Sequence, residues 1–287
     1  MRLGTIYVDG RPRVAAARMG RVVPLPPGDP AWTSMRALAG AGPGALERIR
    51  AWLEDQPIDG GRATGETEDG EVRFGPAVPD PGAIYTVGLN YRSPGGPPDA
   101  GPDRPLIYGK AAGSVAGHGA TLSWDRSVTD DVDAEVELGV VIGAPAFRVE
   151  PGDAMGHVFG YTCINDISAR DERLDGDQWL LGKSMPGFCP VGPWIVTADE
   201  LDPSDLSLGC AIDGAAIQDD RTSNMRFAIP EIVAYLSRHL ELRPGDLIAT
   251  GTPVRLETPP GPGRRLRPGD TVTAWIERIG TLTTTIA

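Results

Sequence analysis

The sequence predicts a mainly β fold with some α, an α+β chain. From Ile84 onward, short β-like runs such as AIYTVGLNY, AEVELGVVIG, HVFGYTCIND, VGPWIVTA and TVTAWIERIG follow one another between Gly and Pro turns. Two stretches, ALERIRAWLED (45–55) and IPEIVAYLSRHL (229–240), carry helical periodicity instead. No run approaches the roughly 18 consecutive apolar residues of a membrane span.

Residues 1–75 read as a small N-terminal domain. In MRLGTIYVDGRPRVAAARMGRVVPL, short strands flank a DG turn. In the first helix Leu46, Ile49, Trp52 and Leu53 recur at i, i+3, i+6 and i+7, one apolar face. A polar Gly/Glu/Asp-rich stretch, 58–71, leads into a larger core, residues 76–287. Its density of strands suits a sandwich, a roll or a partly closed barrel. Pro230 stands near the start of the second helix, where its missing N–H costs nothing. LRPGD occurs at 242–246 and again at 266–270, each time ahead of a strand, and predicts two equivalent turns.

Composition removes whole classes of function. With 287 residues, 40% of them hydrophobic, the chain can bury an ordinary core. A formal charge of −12 argues against nucleic acid and anionic membranes as partners. The start, MRLGTIYVDGRPRV, does not read as a signal peptide. Three scattered cysteines, Cys163, Cys189 and Cys210, suit a reducing cytoplasm. With only three histidines beside them, no zinc pattern forms, so a metal here would be held by oxygen.

DAEVELGVVIG, 133–143, raises a physical problem. Period-2 alternation sets Asp133, Glu135 and Glu137 on one face and Val136 and Leu138 on the other. Neighbouring carboxylates repel and raise one another's pKa unless something neutralises them. A solvated edge strand is one answer and a bound cation the other. Asp166, where GYTCINDISARDE breaks from apolar to polar, supplies a third carboxylate. Three carboxylates from two strands can form one face of an octahedral oxygen site, although a single one is commonly an ion pair or a turn cap. Arg170 is a ready partner for Asp166 or Asp171. LIATGTP, 247–253, ends a strand with Gly251 and Thr252, in a turn that can offer N–H groups and a hydroxyl to a carboxylate, or serve only as a turn. The chain has 25 arginines but only two lysines, Lys110 and Lys183. Either both survive by chance, or each does what a guanidinium cannot.

Together, GLNY (88–91), YGKAAGSVAG (108–117), DAEVELGVVIG, GYTCINDISARD, GKSMPGFCPVGPWIVT, LRPGDLIATGTP and LRPGDTVTAWIERIGTL resemble the fumarylacetoacetate hydrolase family. The likeness runs in order through roughly residues 84–282, and residues 1–75 match the variable N-terminal region many members carry. The resemblance implies a mixed β-roll core, usually in a homodimer. It implies Mg²⁺ or Mn²⁺ on Glu135, Glu137 and Asp166, and it puts both lysines, Lys110 and Lys183, on family lysine positions. Substrates of the family are small carboxylic acids, 2-oxo acids or 1,3-diketo acids. A metal that chelates their oxygens stabilises an enolate. Lys183 is expected to stabilise that enolate or, with a lowered pKa, to move a proton, and Arg170 to orient the site or form a structural ion pair. Lys110, Tyr91, Arg173, Gly251 and Thr252 are expected against the substrate.

The chain departs from the family where hydrolysis is decided. Many hydrolytic and decarboxylating relatives carry N-Y-x-x-H-x-x-E after GLN, and the His and Glu activate water. Here those positions are Pro94 and Pro97, in a run PGGPP that cannot form a regular lid helix. Asp99, Asp103 or His118 would have to substitute from elsewhere. Arg173 and Arg255 replace a common Gln and Gly, which suits a more anionic substrate or a solvated surface equally. The favoured expectation is a metal-dependent enzyme doing non-hydrolytic enolate chemistry: tautomerisation, isomerisation, decarboxylation or dehydration. C–C hydrolysis of an acylpyruvate-like substrate is the second, and a metal-binding homologue without catalysis the third.

Overall fold

Two tight turns start the fold. Asp9–Gly10 and Met19–Gly20 both take left-handed φ at each residue (50° and 71°; 48° and 78°). That is the twist a two-residue hairpin needs. They join β1 (Arg2–Val8), β2 (Arg11–Arg18) and β3 (Arg21–Pro24) into a meander. The structure is a computed structural model that describes residues 1–56, 72–93, 95–97, 101–171, 178–256 and 264–287. The polar stretch expected at 58–71 therefore lies outside the described residues.

Two helices follow. α1 (Met35–Gly40) is capped by Ser34, whose hydroxyl accepts from the Ala37 N–H at 3.1 Å. α2 (Pro43–Glu54) begins two residues before the apolar pattern, on Pro43. Its buried stripe is Ala45, Ile49 and Leu53, with Leu46 and Trp52 packed beside it. The next strands are β4 (Ile84–Gly88), β5 (Leu106–Lys110), β6 (Val115–Ala116), β7 (Ala120–Leu122), β8 (Val132–Asp133), β9 (Val136–Ile142), β10 (Val158–Asn165) and β11 (Ser168–Ala169). After α3 (Trp179–Lys183) come β12 (Cys189–Thr197), β13 (Ser207–Ile212) and β14 (Ala215–Arg221), then α4 (Ile229–His239), β15 (Leu247–Ala249), β16 (Thr271–Ile276) and β17 (Gly280–Ile286).

The main sheet runs β3-β2-β1-β12-β10-β9-β15-β4-β5, with β6 added on β12. A second sheet runs β14-β13-β16-β17-β7. The two face each other across one apolar cluster. Leu138, Val140 and Ile142 of β9 and Tyr161 of β10 meet Leu208, Ile212, Val272 and Leu282 there. Val141 points to the opposite face, into a second cluster with Leu3, Met35, Leu38 and Ile49. The first residues, expected as a unit of their own, thus extend the central sheet through β1–β12 pairing and cover its outer face. Both faces of β9 are buried, so its apolar run reads nearly continuous.

The repeated LRPGD forms the same turn twice. In each, the Asp N–H donates to the Arg carbonyl three residues back, at 3.0 Å for Asp246 and 3.1 Å for Asp270. The Asp carboxylate accepts from that same Arg N–H at 2.8 Å. Gly245 (φ 84°) and Gly269 (φ 89°) take the left-handed position that follows Pro in a type II turn. The surroundings differ. A Cβ on Gly245 would meet Arg36 Cγ at 2.6 Å, whereas one on Gly269 would meet nothing within 4 Å. Gly269→Ala is therefore expected to cost about 1–2 kcal/mol from backbone strain alone, and Gly245→Ala more, read from denaturant midpoints. Equal losses would contradict the clash with α1.

Candidate active site and metal centre

The acidic cluster is a product of strand register. β9 and β10 pair antiparallel with Ile164 opposite Glu137 and Asn165 opposite Val136. One step beyond the ladder, the Asp166 N–H donates to the Glu135 carbonyl at 2.8 Å. The Asn165 side chain accepts from the Glu135 N–H at 3.1 Å and pins the same crossing. Glu135, Glu137 and Asp166 thereby each bring a carboxylate oxygen within 4.8 Å of the others.

The two lysines converge on this cluster from different elements. Lys110, the last residue of β5, donates to Asp166 Oδ1 at 2.5 Å and to the Ile167 carbonyl at 3.1 Å. Lys183, the last residue of α3, donates to Asp166 Oδ2 at 2.5 Å, to Ser168 Oγ at 2.8 Å and to Glu135 Oε2 at 3.3 Å. Arg170 pairs with the other oxygen of Glu135. Burial pushes the Asp166 carboxyl upward, but Lys110 and Lys183 outweigh it and hold the group below the usual carboxylate range. Glu137 has no such clamp. Burial first, then the charge of Asp166, raise its pKa well above normal. Burial alone would lower the Lys183 pKa, as the sequence reading allowed. The charges of Asp166, Glu135 and Glu137 reverse that and raise it, so Lys183 is an ammonium.

These residues fit a divalent cation. Oxygens bound to one ion at about 2.0–2.6 Å cannot lie much further apart than the separation seen here. Each Asp166 oxygen spends one lone pair on a lysine and keeps another. Glu137 is buried next to like charges and gains most from a cation. Glu135, Glu137 and Asp166 are accordingly the residues that would hold Mg²⁺ or Mn²⁺.

A cavity of about 420 Å³ opens over the cluster. Among the sequence-predicted residues, Tyr91, Arg170, Lys183 and Thr252 line it with the three acids. Lys110 does not. It lies behind Asp166, 4% exposed, and supports that carboxylate from beneath. The Gly251 N–H, expected for a substrate carboxylate, donates to Glu137 Oε2 at 2.7 Å. Gly251 has φ 102°, and a Cβ there would strike Asn90 Cβ at 2.6 Å, so the turn needs glycine. Thr252 donates to the Val136 carbonyl at 2.8 Å and accepts from Gln218 Nε2 at 2.7 Å. Tyr91 is buried and its hydroxyl has no hydrogen-bond partner among the described residues. Burial, Glu137 and Asp220 keep it protonated by raising its pKa.

Several contributors were not singled out in the sequence. Gln218 of β14 links the Val136 N–H (2.9 Å) to Thr252 and Pro253, tying the second sheet to the E-x-E strand. Ser168 anchors Lys183. The spacing from Asp166 by two residues on a polar-breaking segment was the available signal for Ser168; nothing local marks Gln218. Arg255 lines the cavity and pairs with Asp133, which Arg265 also holds. It is half-buried and engaged by a carboxylate.

Arg173, Asp99 and Pro94 lie outside the described residues. Pro97 is exposed, and the described residues from 92 to 104 form no helix. Asp103 is exposed and does not line the cavity. His118 sits elsewhere, edge-on to Phe74 at 6.0 Å, with its Nδ1 accepting from the Thr283 N–H at 3.2 Å. No helix among the described residues is long and apolar enough to cross a membrane.

Comparison with known proteins adds to this geometry. A sequence model of the fumarylacetoacetate (FAA) hydrolase C-terminal family matches residues 83–287. The fold is similar to a fumarylacetoacetate hydrolase from Exiguobacterium antarcticum, with TM-score 0.84, 29% identity and coverage of 100% of this chain and 99% of that one. It is similar to a 2-hydroxyhepta-2,4-diene-1,7-dioate isomerase from Mycobacterium marinum, with TM-score 0.71, 32% identity and coverage of 100% and 98%. It is also similar to maleylpyruvate hydrolase from Sphingobium sp. SYK-6 in complex with manganese(II) and pyruvate, with TM-score 0.78, 26% identity and coverage of 100% and 99%.

Two outcomes are expected. Mg²⁺ or Mn²⁺ should raise the melting temperature, by the equivalent of about 2.7 kcal/mol at a free concentration 100 times Kd. Glu137→Gln should lose that shift while melting no lower than wild type in metal-free buffer; an undiminished shift would remove Glu137 from the metal site. The second outcome concerns His118, whose pKa burial lowers from 6.5. Its contribution is complete above the unfolded pKa and is lost as pH falls through 6.5 toward the depressed folded value. His118→Gln should therefore lose less stability than wild type between about pH 7 and pH 5 in chemical denaturation.

Proposed function

This chain belongs to the fumarylacetoacetate hydrolase family, and we propose that it is a divalent-metal-dependent enzyme acting on a 2-oxo acid or 1,3-dicarbonyl substrate by non-hydrolytic enolate chemistry. One observation supports this over water activation. Among the described residues the cavity lining holds no histidine, and each of its carboxylates already has an ion-paired or hydrogen-bonded partner. What the lining offers instead are proton donors. Lys183 is held as an ammonium by its three acidic neighbours. Tyr91 keeps its proton and has it uncommitted.

Such a set favours negative charge developing on a substrate oxygen. A cation held by Glu135, Glu137 and Asp166 supplies Lewis-acid polarisation of substrate oxygens when bound. Lys183 lies beside two of those acids, placed to stabilise an enolate and to return a proton to it. Tyr91 donates a hydrogen bond to the same charge. Arg170 restrains Glu135 and so positions the cluster. Decarboxylation and enol-to-keto conversion ask for electron withdrawal and a proton donor, which these residues provide. Isomerisation and dehydration need a base as well.

The second reading, C–C hydrolysis of an acylpyruvate-like substrate, draws on the hydrolases among the similar structures. The two separate in one experiment. The Mg²⁺- or Mn²⁺-loaded protein is incubated with oxaloacetate and with acetylpyruvate, following enol absorbance and products. Loss of enol absorbance or release of CO₂, without acetate from acetylpyruvate, is expected. Lys183→Met should lower the rate roughly 10²-fold or more. Acetate and pyruvate formed from acetylpyruvate would replace this reading with the hydrolytic one. No turnover of either compound by wild type, with metal binding intact, would favour a non-catalytic homologue.

A further inference from the structure

Each of the two lysines has an aromatic companion on its own element. Tyr108 and Lys110 are two apart on β5, hence on one face of the strand. Trp179 and Lys183 are four apart on α3, hence one turn apart on one face of the helix. At the base, the two ammonium groups meet on opposite oxygens of Asp166. Further out, the two rings meet each other, stacked with centroids 4.6 Å apart and planes 26° apart. Both rings line the cavity.

The pair is fixed in place. Gly88, at the end of β4, leaves the space into which the Tyr108 ring settles; a Cβ there would lie 2.6 Å from the ring. Tyr108 thus has backbone on one side and Trp179 on the other. Leu89 and Val254 also line the cavity while exposed, at 70% and 46%. Leu89 is held at φ 55°, a strained conformation that sets an apolar side chain into solvent. The cavity therefore has a charged floor and an apolar upper wall.

Charge along the lining points the same way. The described cations Arg170, Lys183 and Arg255 are each engaged by a carboxylate: Glu135, Asp166 and Asp133 respectively. A second substrate carboxylate would find the described cations already engaged, whereas an uncharged planar tail would find a preformed aromatic surface.

We infer that Tyr108 and Trp179 are specificity-determining residues that select a 2-oxo acid with an uncharged, planar apolar tail, laid against their stacked rings. This rests on the reading above that the acid cluster and Lys183 take the 2-oxo acid head.

Calorimetric titration of the Mn²⁺-loaded full chain tests it, with pyruvate as the bare head, phenylpyruvate as head plus planar tail, and oxaloacetate as head plus second carboxylate. Phenylpyruvate is expected to bind at least roughly tenfold more tightly than pyruvate and more tightly than oxaloacetate. Trp179→Leu and Tyr108→Leu should each lower the phenylpyruvate-to-pyruvate affinity ratio at least roughly fivefold, while Trp179→Phe, which keeps a ring, retains it. Circular dichroism establishes that each variant is folded, and either leucine variant alone suffices if the other is not. Pyruvate bound with phenylpyruvate no better, oxaloacetate bound best, or a ratio unchanged by the leucine variants would overturn the inference and leave the head-group reading standing. Failure of all three compounds to bind would overturn both.

Discussion

The site depends on how a buried carboxylate is kept ionised. Asp166 is fully buried, and burial by itself would protonate it. Two ammonium groups, one on each oxygen, reverse that. Much of the local architecture serves this clamp. β5 must end at Lys110, α3 must end at Lys183, and the β9–β10 register must bring Asp166 beside Glu135. Removing either lysine would leave a buried charge under-compensated, a far larger perturbation than loss of a surface pair. Arginine would not substitute easily. Its planar fork presents a different donor geometry from the compact ammonium groups that meet Asp166, Ser168 and the Ile167 carbonyl here.

Glu137 is the counterpart that the clamp leaves out. Among the described residues its one hydrogen-bond donor is the Gly251 N–H, and its charged neighbours are mostly negative. The cluster is thus balanced at one carboxylate and deficient in positive charge at another, an asymmetry that favours a cation on the Glu137 side. The Gly251–Thr252 turn serves the protein's own acid and backbone first. Tyr91 and Lys183 line the cavity beside that turn.

Much of this was legible in the sequence because it is local. The E-x-E pair, the Asp at the end of an apolar strand, the repeated LRPGD turn and the rarity of lysine are all visible within a few residues. The second helix was found to its start at Ile229, and the first lay within two residues of its observed start. What stayed hidden depends on contacts between distant segments. Gln218 touches Val136 and Thr252 across 82 and 34 residues of chain. The stacking of Tyr108 on Trp179 needs β5 and α3 in place together. The joining of β1 to β12 likewise leaves no local mark, since an edge strand and a strand that completes another sheet read alike. The lowered pKa allowed for Lys183 failed for a related reason: burial is suggested by the surrounding residues, but the number of nearby carboxylates is not.

The scarcity of lysine has a chemical consequence. Lys110 and Lys183 carry the chain's only ε-amines, and both are at most 5% exposed and held by carboxylates. Reagents that acylate lysine therefore meet almost no reactive side chain on the outer surface. A label reaches either ε-amine only when the packing around Asp166 opens, so its rate of uptake reports how often that happens.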